Sequence, residues 1–315
     1  MDTQPIFPPE WNIGSFEPLA DTHSSHIWKV ESLDHPGVPL VVKKLKPAGM
    51  EELRGAHYLD WRNGHGAARL YDLKGTSMLL EYAGSYHLEE HLDAGKDAEC
   101  LEIFGQILAA LHTPSPSPIP ADLQPLEKHF SGLFAVAGEK PVYAEATALA
   151  QRLLATPHEA IPLHGDIHHE NIIRSPRGWL AIDPHGLVGD AAFDAANIFY
   201  NPLDREDLCL DLKRAQRMAE HFAPVINRHP AFILDYAFAY GCLSAAWHRE
   251  DGNEKDEARE LKIAAALRGL RLSAYPQNIG QQQSLIDGLG SPPVIEDIEV
   301  DFPRSGEMPG KTDRS

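Results

Sequence analysis

Cysteine is scarce in this chain. Cys100, Cys209 and Cys242 are the only three among 315 residues, widely spaced and without a CxxC pair. That argues against a disulfide frame or a thiolate metal site and fits a reducing compartment, with the cysteines expected in the core. No apolar run reaches the roughly 18–20 residues of a membrane span, and the opening MDTQPIFPPEWN lacks the basic and apolar regions of a signal peptide. A soluble cytoplasmic protein with no membrane partner is the expectation. Basic charge is also short: 28 Lys and Arg stand against 46 Asp and Glu, a formal charge of −18. This disfavours nucleic acid, whose phosphates need a basic footprint, and would draw a cation into an acidic cleft. No internal repeat is visible, and the oligomeric state is left open.

With 43% hydrophobic residues the chain can bury a full core. Residues 13–83 read as short strands around one helix: FEPLADTHSSHIWKVES gives two extended pieces, PLVVKKLK a buried strand, GMEELRGAHYLDWRN a helix, and AARLYDLKGTSMLLEY a hairpin. After Ala83-Gly84 helical periodicity takes over, in LEEHLDA, DAECLEIFGQILAALHT, KPVYAEATALAQRLLATPH, DAANIFYN, REDLCLDLKRAQRMAEHFA, PAFILDYAFAYGCLSAAWHRE and DEARELKIAAALRGLRLS, with TPSPSPIPADLQP as a loop. The expected division is a nucleotide-binding lobe over 1–83, a catalytic and substrate lobe over 84–275, and a disordered tail over 276–315, where Gly, Pro and charge replace periodicity.

The stretch LHGDIHHENI, Leu163 to Ile172, holds three histidines, two acids and an asparagine, and WLAIDPHG follows it. NIIRSPRGWLAID has two apolar runs around the turn residues SPRG and predicts a β-hairpin. A turn centred near Pro176-Arg177 sets Asn171 opposite Asp183, with Asp166 on the loop that feeds the hairpin. Hard oxygen donors of this kind suit Mg²⁺, which completes its shell with water and substrate phosphates. Phosphoryl transfer also needs one carboxylate to take the proton of an attacking hydroxyl, and Asp166 is free for it. His164 and His168 have a zinc-ligand spacing, but Gly165 and the hairpin argue against the helix that spacing requires.

HGDIHHEN with IDPHG resembles the HGDxxxxN motif and the following metal-binding Asp of the aminoglycoside phosphotransferases. GWLAIDPHGLVGDAAFDAAN and LSAAWHREDG resemble the branch of streptomycin 6-kinases and hydroxyurea phosphotransferases; together the similarities span roughly residues 15 to 275. The resemblance implies an α+β, bilobal, protein-kinase-like fold with a small β-rich N-terminal lobe and a larger, mainly helical C-terminal lobe. It implies transfer of the γ-phosphoryl group of ATP, with Mg²⁺, to a hydroxyl of a small cationic molecule, an aminoglycoside of the streptomycin type. The alternatives are a kinase of another small hydroxylated metabolite, and a nucleotide-binding pseudokinase.

Carried over residue by residue, the resemblance makes Asp166 the catalytic base, Asn171 and Asp183 the metal ligands, and His164 and Gly165 supporting residues. Only one of Lys43 and Lys44 can face the nucleotide, because successive strand side chains point to opposite faces. The family's pattern favours Lys44, paired with Glu52 or Glu51, of which Glu52 is preferred because it shares a helix face with Ala56 and Leu59. The turn ADTHSSH has no glycine, yet the hydroxyls of Ser24 and Ser25 can meet phosphate. Glu81 C=O and Ala83 N–H would bond the adenine edge. Asp190 and Asp194 are read as structural, Asp194 as a helix N-cap. No long activation segment follows DPHG, which favours a small-molecule acceptor, with Asp207, Trp247, Glu250 and Asp251 as candidate substrate residues.

Overall fold

The computed structural model describes residues 5–156 and 158–276; beyond Pro276 the segment expected as a tail lies outside them. Strands β1 (Ile13–Asp21), β2 (Ser25–Ser32) and β3 (Leu40–Leu45) form an antiparallel meander. A 3₁₀ run, Pro47–Glu52, then leads into helix α1 (Leu53–Arg62), and the hairpin β4 (Leu70–Lys74) and β5 (Ser77–Glu81) completes a five-stranded sheet in the order β1-β2-β3-β5-β4. Strand alternation divides its apolar residues between two faces. Trp11, Val30, Leu40, Val42 and Leu79 pack on one face, while Leu45 and Met78 meet Ala56 of α1 on the other.

The larger part contains α2 (Leu88–Asp93), α3 (Asp97–His112), a two-residue strand β6 (Gln124–Pro125), α4 (Leu126–His129), α5 (Ser131–Ala135) and α6 (Pro141–Ala155). After these come β7 (Ile161–Leu163), β8 (Ile172–Ser175), β9 (Gly178–Ala181), β10 (Leu187–Gly189), α7 (Ala192–Ala196), α8 (Glu206–Cys209), α9 (Leu212–Val225), α10 (Pro230–Glu250) and α11 (Glu254–Ala274). Helix α10 is apolar around most of its circumference, the pattern of a central buried helix. It is buried from Ala231 to Leu243 and packs on α6, α7, α9 and α11. Among the described residues no helix is long and apolar enough to cross a membrane, and all three cysteines are buried.

Several elements differ from expectation. REDLCLDLKRAQRMAEHFA breaks into α8 and α9, because Asp211 caps the second helix by accepting the N–H groups of Lys213 and Arg214. The helix expected from Gly49 begins as the 3₁₀ run, with α geometry from Leu53. Helices α4 and α5 were not anticipated; they are too short to show a helical period.

Two small β units position the site. The sheet β6-β10-β7 holds β7 beside β10, and the hairpin β8–β9 pairs separately. The loop 164–171 therefore leaves one unit and enters the other, and 182–186 runs back alongside it.

Candidate active site

The loop after β7 is held from below. Asp194, 1% exposed, accepts the N–H of His164 at 3.1 Å and of Gly165 at 2.7 Å, and lies 2.9 Å from Nε2 of His112. It is not the helix N-cap expected. Asp190 accepts the Ala192 N–H at the start of α7 at 2.8 Å and is itself paired with Arg228. His164 is fully buried, and burial lowers its pKa, so the neutral ring donates from Nε2 to Ile182 O and accepts the Asp166 N–H at Nδ1.

The hairpin turns at Pro176-Arg177, and a turn there pairs Ile172 with Ala181 and sets Asn171 opposite Ile182, one residue short of the expected Asp183. Asp183 stands one residue further on with φ +59°. That left-handed backbone, uncommon outside glycine, redirects the chain at this point, and the carboxylate pairs with Lys43.

Asp166 is gripped through both oxygens. The Asn171 amide donates to its carbonyl and to Oδ2, each at 2.9 Å, and Asn197, a residue not singled out from the sequence, donates to Oδ1 at 2.8 Å. His168 Nε2 and His185 Nε2 lie 3.5 and 3.8 Å from Oδ2. Burial works to raise the Asp166 pKa, but the His168 hydrogen bond and the nearby histidine charges outweigh it and hold the carboxyl well below its usual range. The group is an ionised acceptor. Asp166 reciprocally raises the pKa of His168 against the burial that would lower it.

The lysine facing this site is Lys43, not Lys44. Lys43 shares a face with Leu45 and is covered by α1; its Nζ is 2.6 Å from Glu52 and also contacts Asp183. Burial would lower its pKa, but the carboxylates of Asp183 and Glu52 raise it. Lys44 pairs across the sheet with His26 and lines an open depression on the opposite face with Trp28 and Pro47. Glu52 is thus the partner expected, to the other lysine. Two glycines bring α1 against the segment after Asp183. A Cβ on Gly55 would meet Pro184 O at 2.0 Å, and one on Gly186 would meet Arg54 O at 2.5 Å.

Ser25 is buried with its hydroxyl 3.1 Å from that of Thr22, and the Ser24 hydroxyl lies 3.3 Å from the same group. The hydroxyls of this turn are engaged with one another. Ala83 is buried against Ile173, Leu180 and Ile182. Glu81 has a side-chain role the sequence did not suggest: it binds Arg177 of the hairpin turn, which also donates to Gly64 O and Ala67 O, clasping hairpin to sheet.

The oxygen donors fit magnesium. Asn171 commits its amide N–H groups to Asp166, which leaves its carbonyl oxygen as the acceptor, and the Asp183 carboxylate has a second oxygen beyond the one on Lys43. His164 and His168 do not converge, and among the described residues no three His, Cys, Asp or Glu side chains group as metal ligands.

A cavity of about 480 Å³ adjoins Asp166 through His185. It is walled by Glu51, Glu52 and Arg54 on the sheet side and by Lys128, His129 and Trp247 on the helical side. Trp247 is the only expected substrate residue in this wall. Asp207 is exposed and paired with Arg205, and Glu250 and Asp251 sit exposed at the end of α10. His129 packs edge-on to Trp247 and Phe193, with Nε2 unpaired; burial pushes its pKa down to about 3, so it is neutral.

The aminoglycoside/hydroxyurea antibiotic resistance kinases match residues 10–252. The chain belongs to this family. It is 37% identical over 268 residues to a streptomycin 3''-kinase of Klebsiella pneumoniae, covering 83% of this chain and 98% of that one. A streptomycin 6-kinase of Streptomyces glaucescens is 27% identical, covering 66% and 70%. The kinase-like fold is shared with a choline kinase from Cryptosporidium parvum Iowa II (TM-score 0.57, 10% identity, 88% and 94% covered). It is shared equally with an aminoglycoside phosphotransferase solved with ADP and hygromycin B (TM-score 0.55, 14% identity, 82% and 96% covered). As a member of its family, the protein is an ATP-using phosphotransferase that acts on hydroxyl groups.

Proposed function

We propose that this kinase transfers the γ-phosphoryl group of Mg·ATP to a hydroxyl of streptomycin or a close aminoglycoside relative, with Asp166 as general base. The observation that carries the reading is the position of the Asp166 carboxylate. Its Oδ2 accepts the Asn171 amide and lies 3.8 Å from His185, which lines the same cavity as Trp247. Lys43 holds the nucleotide phosphates in place of the lysine first expected. Bound Mg²⁺ neutralises charge on the phosphates, and Asn171 and Asp183 would hold it. The protein's own part is to orient nucleotide and acceptor and to take up the acceptor proton. Trp247 supplies a flat wall for a sugar ring or guanidinium, and the −18 charge favours a cationic acceptor. The 3''-hydroxyl is the favoured position, since identity to the 3''-kinase is higher and covers nearly the whole of that relative.

Incubation with Mg·ATP and a panel of aminoglycosides, hydroxyurea and common hydroxylated metabolites tests this. Streptomycin should gain the mass of one phosphoryl group, roughly 80 Da, located by NMR on the 3'' oxygen. Asp166→Asn should lose turnover by roughly 10²- to 10⁴-fold with ATP affinity unchanged. A best acceptor without cationic groups, or full turnover in that variant, refutes the reading.

A further inference from the structure

The two oxygens of Asp166 have different surroundings. Oδ1 meets the Asn197 amide, and Asn197 is only 5% exposed. Oδ2 is the oxygen nearest His185, which lines the acceptor cavity, and it accepts one N–H from Asn171. Oδ2 therefore lies on the His185 side, with His168 Nε2 also 3.5 Å from it, while Oδ1 is turned to Asn197.

Asn197 cannot present its other end. Its Oδ1 accepts the Tyr240 hydroxyl at 2.7 Å and the Asn201 amide at 2.8 Å, both from buried residues. Reversing the amide would set its oxygen against a carboxylate oxygen and leave two buried donors facing an NH₂ group. Tyr240 lies on α10, two turns before Trp247 of the cavity wall. One helix therefore carries both the prop for this amide and a wall of the acceptor cavity.

We infer that Asn197 is a positioning residue that engages Oδ1 of Asp166 and thereby assigns Oδ2 as the oxygen that takes the acceptor proton. In the transfer, the acceptor O–H bond breaks with its proton passing to Oδ2. The acceptor oxygen forms a bond to the γ-phosphorus, and the bond from that phosphorus to the β–γ bridging oxygen breaks, its electron pair leaving on ADP. With Asn197 in place the Asp166 side chain cannot rotate without breaking a buried hydrogen bond, so the assigned oxygen stays aligned with the incoming hydroxyl. The inference rests on Asp166 being the base, which Asp166→Asn tests separately.

The test is single-turnover phosphorylation of streptomycin by the full chain, with KM for ATP and for streptomycin measured beside it. Asn197→Leu fills a similar volume without a donor and should slow the chemical step by roughly 10²-fold, both KM values staying within about twofold of the parent. Asn197→Asp keeps the shape but sets a second carboxylate against the base, and should be at least as slow. Tyr240→Phe removes only the hydroxyl that fixes the amide, and should slow the step by roughly three- to tenfold with the same unchanged KM values. An Asn197→Leu rate equal to the parent overturns the inference, as does a loss shared by kcat and both KM values. If Asn197→Leu does not fold, the milder Tyr240→Phe decides: a selective loss of rate supports the assignment, and parental kinetics overturn it. If Asp166→Asn is itself fully active, the general-base reading fails and this inference with it.

Discussion

Lys43 and Lys44 are adjacent, equally charged and differently placed, and the difference comes from the strand face alone. Lys43 shares its face with Leu45 under α1, whereas Lys44 lies on the open face with His26 and Trp28. Lys43→Ala should raise the ATP KM by roughly 10- to 100-fold, the effect of losing charge-assisted contacts to phosphate. Lys44→Ala should stay within about twofold, and steady-state kinetics on the pair decide between them. The signal was present in the sequence, since Lys44 alternates with Lys46 as Lys43 does with Val41 and Leu45, but Leu40 and Val42 on the Lys44 face made the pattern ambiguous. Asn197 and Asp194 were harder to read, because their partners Asp166, His164 and Gly165 lie about 30 positions away and only the folded chain brings them together. Glu260 shows another consequence of burial. It is 2% exposed with Oε2 unpaired, and burial pushes its carboxyl up to about 7 although Arg259 works against the rise. A carboxyl raised above its unfolded value stabilises the fold at low pH, and that contribution is lost as pH rises from about 4.3 through 7. Glu260→Gln should therefore gain in melting temperature relative to the parent across that interval and level off above it. A pH-independent difference would show that the carboxyl does not titrate there.

At the scale of elements, α1 contains a glycine that helix propensity disfavours by about 1 kcal/mol relative to alanine. Gly55 is there because Pro184 O occupies the space a Cβ would need. Gly55→Ala should consequently lower the melting temperature despite the gain in propensity. It should also raise the ATP KM, because displacing α1 carries Glu52 away from Lys43; calorimetry and kinetics check the two halves. The hairpin β8–β9 was legible from its apolar runs and its turn, and the long helices α3, α6, α10 and α11 from their periodicity. The register was legible as well, because a turn on Pro176-Arg177 pairs Asn171 with Ile182, and the expected pairing with Asp183 was one residue out from that same turn. Helices α4 and α5, which bring Lys128, His129 and Ser131 to the cavity, were missed because four- and five-residue helices carry too few turns to display amphipathicity.

Across the whole molecule the sheet and the helical part meet at a few backbone-close contacts. These include the glycines at 55 and 186, the Arg177 clasp on Glu81, Gly64 and Ala67, the backbone bridge of Ala67 with Ala181, and the Arg62 bonds to Ala110 O and Thr113 O. The core is also continuous across them, since Tyr58 and Leu59 of α1 join the cluster that contains α3, α7 and α10. Composition and motif order could announce two lobes and their chemistry, but not the residues that join them, since Arg177 read only as a turn residue. One residue belongs to two sites. Glu52 is the ion-pair partner of Lys43 and also part of the acceptor-cavity wall. Any shift of α1 that accompanies nucleotide binding must therefore change the shape of the space offered to the second substrate, and the two ligands are coupled through a free energy that each exerts on the other equally. Titration calorimetry should show streptomycin binding several-fold tighter with Mg·ADP present, and Mg·ADP binding tighter by the same factor when streptomycin is present. Equal affinities in both orders would mean that the wall shared through Glu52 is rigid and that the substrates bind without regard to one another.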